Sequence, residues 1–437
     1  MQPGPETAPK TGAKSGPNAG NARHLQPSPP RPLTADPTYL DQLFVPEDGW
    51  HLAAVMAWII EEGRHIKQPP KFLARLCDKL VEAGAPVWRL GLDVRTIHPR
   101  FAAWQLTWSR GSLRVEERMI SHLREQIAYD GSPTQRIHQG KAMVRCRLDH
   151  LDADVDHPSL QFLASRGGMD YVAFPLDFST GQLNVLCIAT DRPDGFSDLD
   201  ITKFRVLTEL LAFPIEIFVE HRAALALLDT YVGPRAGRRV LRGLIRRGEG
   251  EVIDAAIWYS DLRGFTPLTE SLPWAEVLEI LNAYFEFVNA AVIARGGEIL
   301  HFIGDAILVV FPIAEIGDRR QACRSALEAA RDAFNGIATV NLRRARARQP
   351  AIRFGVGLHV GEVIYGNIGA PDRLNFTVMG SAVNRAARLE GLTKAMARSV
   401  LTSAEFAQCI DDPVESLGFR PVKGLAEPQE IFAPKGL

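Results

Sequence analysis

Within Glu251–Pro312 two apolar runs each end on an aspartate, and this pattern restricts the fold more than any other part of the chain. Val252–Tyr259 is rich in β-branched and aromatic residues and reads as a buried strand. Asp261 sits where that strand runs out into a glycine-containing loop. Ile299–Ile303 and Ala306–Phe311 read as two strands joined by Gly304-Asp305. Glycine at the first central position of a two-residue turn signals a type II′ hairpin, with Asp305 on its tip. If this hairpin lies beside the first strand, the two carboxylates converge. Paired carboxylates suit a hard cation such as Mg²⁺, which takes one or two of them plus substrate phosphates. Two such ions roughly 3.5–4 Å apart serve in-line displacement at phosphorus. The residues alone therefore point to metal-assisted phosphoryl or nucleotidyl transfer. Taken singly, Asp261 reads equally well as a loop-start residue and Asp305 as a turn former.

A chain of 437 residues has room for two or three domains, and its 46% hydrophobic and 23% charged content is that of globular protein. The net charge of −1 provides no field that would draw nucleic acid, so no such partner is expected. Cys77, Cys146, Cys187, Cys323 and Cys409 are scattered, with neither CxxC spacing nor a disulfide framework. That fits a reducing, cytoplasmic setting. The best candidate for a membrane span, Val206–Val219, is interrupted by Glu209, Pro214 and Glu216, so no membrane association is expected. The N-terminus lacks the apolar core of a signal peptide.

Residues 1–38, rich in Pro, Gly, Ala and Ser, are expected to be a disordered tail. Residues 39–220 read as a sensory or regulatory domain of mixed sheet and flanking helices. Trp50–Gly63 and Pro70–Gly84 have helical spacing, and Val87–Val94, Tyr171–Leu176 and Gln182–Ala189 read as strands. Asp198–Val219 reads as a helix with Phe204, Leu207, Leu211, Ile215 and Phe218 inward, bent at Pro214. Residues 221–250 form a helical connector. Leu211, Phe218, Leu225 and Val232 fall seven apart, one position of a heptad, and Arg235, Arg238, Arg239, Arg242, Arg246 and Arg247 give a basic flank. From Val252 on, helices over Trp274–Arg295 and Asp318–Arg343 alternate with strands over Ile352–His359 and Asn375–Met379. Gly361–Gly369 reads as a glycine-rich turn and strand, and Gly380-Ser381 opens a helix to about Ala395, capped by Ser381. The order β-α-β-β-α-β is a split βαβ, ferredoxin-like arrangement, so the fold class is α/β (α+β).

Two resemblances add to this reading. Phe174-Pro-Leu, Gly181, Leu186-Cys-Ile and Gly195-Phe-Ser-Asp-Leu-Asp200 resemble the second half of a GAF domain. That implies sensing of a small-molecule or protein signal; no residue names it, and the lone His98, His138 and His157 read as structural or exposed. Residues from about Ile253 to Phe432, a domain spanning 251–437, resemble the catalytic domain of class III nucleotidyl cyclases. Asp261 and Asp305 fall on that family's metal-binding aspartates, and Phe376–Glu390 matches its transition-state segment. The resemblance implies two Mg²⁺ (or Mn²⁺) ions per site at Asp261, Leu262 and Asp305. It implies Asn384 orienting the ribose and Arg388 contacting the reacting phosphate; their spacing of four places them on one helix face. Lys423 resembles a lysine that holds the terminal phosphates, and the backbone around Gly264, Phe265 and Thr266 could cradle phosphate oxygens.

Thr377 and His301 occupy the base-reading positions. His301 stands where adenylate cyclases usually have Lys and guanylate cyclases Glu. A neutral His can donate one hydrogen bond to an adenine nitrogen but cannot replace the acceptor that Glu provides for guanine. The reading is an adenylate cyclase acting on ATP as a homodimer, with the aspartates from one chain and His301, Thr377, Asn384 and Arg388 from the other. The alternatives are a catalytically weak or inactive nucleotide-binding regulator, or a guanylate cyclase. A diguanylate cyclase is rejected, because Gly296-Gly297-Glu298-Ile299-Leu300 only begins like its hairpin signature.

Overall fold

The computed structural model describes residues 49–121, 129–140, 142–152, 154–422 and 426–437. The expected disordered tail and Lys423 lie outside the described residues. The chain divides into two compact units, with the division between Val219 and Glu220; Ile97–Pro99 go with the second.

The first unit is built on a six-stranded sheet in the order β3-β2-β1-β6-β5-β4, and every pair is antiparallel rather than mixed. Its strands are β1 (Arg89–Arg95), β2 (Phe101–Ser109), β3 (Glu116–Ser121), β4 (Val144–Arg147), β5 (Asp170–Asp177) and β6 (Leu183–Thr190). One sheet face packs with Leu73, Leu76 and Leu80 of the Pro69–Glu82 helix and Phe204, Leu207 and Leu211 of the Asp198–Tyr231 helix. This last helix runs through Pro214 and past the expected end at Val219. Val232, one of the heptad positions, packs instead against a cluster containing Ala236, Ile257 and Leu308 in the second unit.

The second unit carries β7 (Gly250–Leu262), β8 (Glu298–Ile303), β9 (Ala306–Pro312), β10 (Phe354–Ala370), β11 (Arg373–Met379), β12 (Val400–Ser403), β13 (Val414–Arg420) and β14 (Gln429–Pro434). The order is β13-β14-β12-β10-β7-β9-β8, with β11 paired to β10. Helices Trp274–Ala294 and Arg319–Arg346 cover one face. Ala322, Ala326, Ala329, Ala330 and Ala333 give the second of these a smooth face over Trp258, Ile307 and Phe311. Among the described residues Trp274–Ala294 is the helix long and apolar enough, by length and composition, to cross a bilayer, which the sequence reading passed over. Here its Tyr284, Val288 and Val292 are fully buried in this core.

Two local expectations fail. Gly361–Gly369 does not form a turn, because β10 is one 17-residue strand. Its ladder with β7 runs unbroken from Phe354↔Leu262 to Gly366↔Gly250, and that pairing overrides the local glycine preference. Ser381 does not cap its helix. The helix begins at Ser381 itself, with Gly380 before it and no side-chain cap bond. This helix, Ser381–Thr393, lies so close to β10 that a Cβ on Gly357 would stand 2.1 Å from the Ala386 carbonyl oxygen. Glycine there fixes the position of Asn384 and Arg388 over the sheet.

His359, buried on β10, shares a 2.8 Å hydrogen bond with the Ser403 hydroxyl. Burial holds its ring at a pKa of about 4, with the charges of Arg385 and Arg319 acting the same way and Glu405 opposing. The unfolded chain protonates the ring near 6.5, so it binds more protons than the native state between those values. Stability should fall by about 3 kcal/mol as pH drops from about 6.5 to 4 on this account alone. Urea melts across that range should show a flatter slope for His359→Gln; an unchanged slope would remove His359 as the cause.

Candidate active site

β7 and β9 pair from Ala255↔Pro312 to Ser260↔Ile307. Asp261, still on β7, lies one residue beyond its last pair with β9, and Asp305 precedes β9 on the β8–β9 turn, where Gly304 adopts a positive φ of 64°. With the hairpin paired beside β7, the two carboxyl groups come within hydrogen-bonding reach. Asp261 is half-buried, and its Oδ1 is enclosed with no hydrogen-bond partner among the described residues. Burial, then the hydrogen bond and charge of Asp305, then the charge of Glu390 push the Asp261 carboxyl up to about 7; the Leu262 N–H opposes them. An orphaned carboxylate oxygen beside a second carboxylate is an arrangement that a divalent cation relieves. The residues present therefore fit the metal that the sequence implies.

Glu390 is assigned no role by the Phe376–Glu390 motif. It lies on the Ser381–Thr393 helix, and its Oε1 would be 2.6 Å from a Cβ on Gly355, the register partner of Asp261. Burial raises its pKa, Asp305 adds to the rise, and Thr393 and Arg263 oppose it. Among the described residues no group of three His, Cys, Asp or Glu side chains is arranged to hold a metal. Glu390 adds negative potential beside Asp261 and Asp305. Its place two residues after Arg388 was the available signal, since two helical steps of about 100° each put it on the other side of the helix.

The same geometry locates Asn384 and Arg388. Ala382, Ala386, Leu389 and Thr393 face inward, and Asn384 and Arg388 lie on the opposite face. Neither side chain has an intramolecular partner among the described residues. Within one chain the aspartates meet each other and Glu390, while Asn384 and Arg388 lie on the helix face opposite its buried residues. His301 is half-buried on β8 opposite Leu308, and burial lowers its pKa, which favours the neutral ring. Thr377 lies on β11 opposite Gly366, and β8 and β11 pack together. After Asp261 the backbone turns at Gly264 (φ 74°, ψ 28°) into the short helix Phe265–Ser271. Gly264 and Thr266 are exposed, and Phe265 packs against the core.

The split βαβ sheet and its paired aspartates agree with the resemblance to class III nucleotidyl cyclases. Residues 250–429 match the family described as adenylate and guanylate cyclase catalytic domain, and this part of the chain belongs to it. Adenylate cyclase 1 of Rhizobium meliloti is 31% identical over 324 residues, covering 68% of this chain and 46% of that protein. The adenylate cyclase of Anabaena cylindrica is 33% identical over 187 residues, covering 41% of this chain and 36% of that one. The chain spans less than half the length of these curated relatives. Among solved structures, a bacterial light-regulated adenylyl cyclase is 28% identical, covering 53% of this chain and 65% of that one, with a TM-score of 0.43.

Proposed function

We propose that this chain converts ATP to 3′,5′-cyclic AMP and pyrophosphate at a site shared by two copies of itself. The observation that carries this is the division of the site. Asp261 and Asp305 converge, while Asn384 and Arg388, without side-chain partners among the described residues, lie on the helix face opposite its buried residues. An apolar row supports a second copy. Val252, Ile364 and Met379 are register partners on three adjacent strands and are 67%, 48% and 44% exposed.

Mg²⁺ or Mn²⁺ held by Asp261, Asp305 and the Leu262 backbone, two ions per site, would favour loss of the 3′-hydroxyl proton and neutralise the triphosphate. The 3′-oxygen then bonds to the α-phosphorus as the bond to the leaving pyrophosphate breaks. Asn384 of one copy orients the ribose. The Arg388 guanidinium donates to the reacting phosphate, where a bidentate contact spreads the developing charge. Backbone N–H groups around Gly264, Phe265 and Thr266 cradle phosphate oxygens, and Lys423 binds the terminal phosphates. His301 donates to an adenine nitrogen, and the Thr377 hydroxyl completes base recognition. Two named relatives are adenylate cyclases, which supports ATP as the substrate. The first unit acts as the regulatory, GAF-like domain, and five free cysteines fit a cytoplasmic setting.

The purified chain with Mg²⁺ or Mn²⁺ should form cyclic AMP from ATP at least about ten times faster than cyclic GMP from GTP. A preference for GTP would make it a guanylate cyclase. Nucleotide binding without any cyclic product would make it a regulator, the reading that His301 favours. His301→Lys should keep or raise activity with ATP and create none with GTP, because Lys restores a fixed donor. A switch to GTP, or complete loss with ATP, would show that His301 does not face the base.

A further inference from the structure

Glu298 lies on β8, three residues before His301, and only 4% of it is exposed. Its carboxylate joins three elements. Oε2 accepts from the Tyr365 hydroxyl at 2.7 Å, and Oε1 accepts from the Ala236 N–H at 3.3 Å. Ala236 is in the first turn of the Pro234–Leu241 connector helix, where Gly233 offers no side chain to the open N–H groups. A carboxylate at that point satisfies one of these donors and sits at the positive end of the helix dipole. Tyr365, on β10, meets Phe376 edge-on with ring centroids 4.7 Å apart, and the Arg239 guanidinium of the connector lies 4.8 Å over its ring. Phe376 is the residue before Thr377.

Sheet topology shows why this contact has consequences. β7 and β9 separate β8 from β10, and β11 pairs with β10. Among the described strands no backbone ladder ties the strand of His301 to the strand of Thr377. The Glu298–Tyr365 hydrogen bond ties β8 to β10, the ladder partner of β11. One apolar cluster surrounds it, combining Leu300, Phe376 and Val378 with Val232, Ala236, Val240 and Leu244 of the connector. Leu300 adjoins His301, and Phe376 and Val378 flank Thr377. The connector thus packs behind the base-reading strands.

We propose that Glu298 is a positioning residue that sets the spacing of His301 and Thr377 and makes it depend on docking of the Pro234–Leu241 helix. The proposal rests on the assignment of His301 and Thr377 to the base. Glu298→Ala leaves the Tyr365 hydroxyl and the Ala236 N–H unsatisfied and removes this tie between β8, β10 and the connector helix. Glu298→Gln keeps the volume and an acceptor oxygen. Because the lesion lies behind the base and not beside Asp261, it should fall on nucleotide affinity rather than on chemistry.

The full-length chain is tested with ATP and with a fluorescent methylanthraniloyl-ATP as binding probe. Glu298→Ala should raise KM and probe Kd about tenfold, with kcat within about threefold of wild type. Half-saturating Mn²⁺ should not move. Glu298→Gln should recover most of the affinity. Should Glu298→Ala not fold, Tyr365→Phe carries the test, with a rise of about threefold in Kd. Unchanged Kd, a fall in kcat alone, or failure of Gln to recover affinity overturns the proposal. A wild type that binds the probe but forms no cyclic product refutes the cyclase reading, while the Kd series still judges Glu298. A wild type that binds no nucleotide overturns both.

Discussion

Asp261→Asn and Asp305→Asn should each lower cyclic-nucleotide formation by roughly a thousandfold while the chain stays folded. Each substitution removes a charge that holds the cations, and a cation at such a site supplies several kcal/mol of transition-state stabilisation. The folded state should not suffer. Burial and the neighbouring charges of Asp305 and Glu390 already hold the Asp261 carboxyl up at about 7, so a neutral amide relieves repulsion. In chelator, the melting temperature of Asp261→Asn should therefore equal or exceed that of wild type. Retained turnover in either variant at saturating Mg²⁺ or Mn²⁺ would dismiss the metal assignment. A collapse of melting temperature would make the loss of activity one of folding.

Much of this site could be read from the chain because its signals are local. Asp261 lies at the end of a strand pattern, and Asp305 follows a glycine that a two-residue turn requires, so both positions follow from neighbouring residues. Asn384 and Arg388 share a face by their spacing alone. What could not be read depends on distant pairing. Glu390 approaches Asp261 only because its helix crosses β10 at Gly355 and Gly357. The length of β10 comes from its partner β7, against the local preference of Gly361 and Gly366. Val232 fits a heptad in the sequence but finds a nearer apolar cluster once the connector docks. In the first unit, β2 was missed although Ala102, Trp104, Leu106 and Trp108 alternate with strict period two. That signal was present and unused.

The division of the site between two copies is tested most directly by mixing two inactive chains. Asp261→Asn damages the metal half of every site, and Arg388→Ala the transition-state half. In either homodimer both sites are broken. In a mixed dimer one site holds both lesions and the other holds neither. Random equal mixing makes about half of the dimers mixed, so activity should return to roughly a quarter of wild type. The measurement is cyclic AMP formation by co-expressed, differently tagged chains purified through both tags in sequence. Such verified mixed dimers should recover about half of wild-type activity, one working site of two. Verified mixed dimers with no more activity than the two parents would contradict the shared site and require Asn384 and Arg388 to act on the aspartates of their own chain.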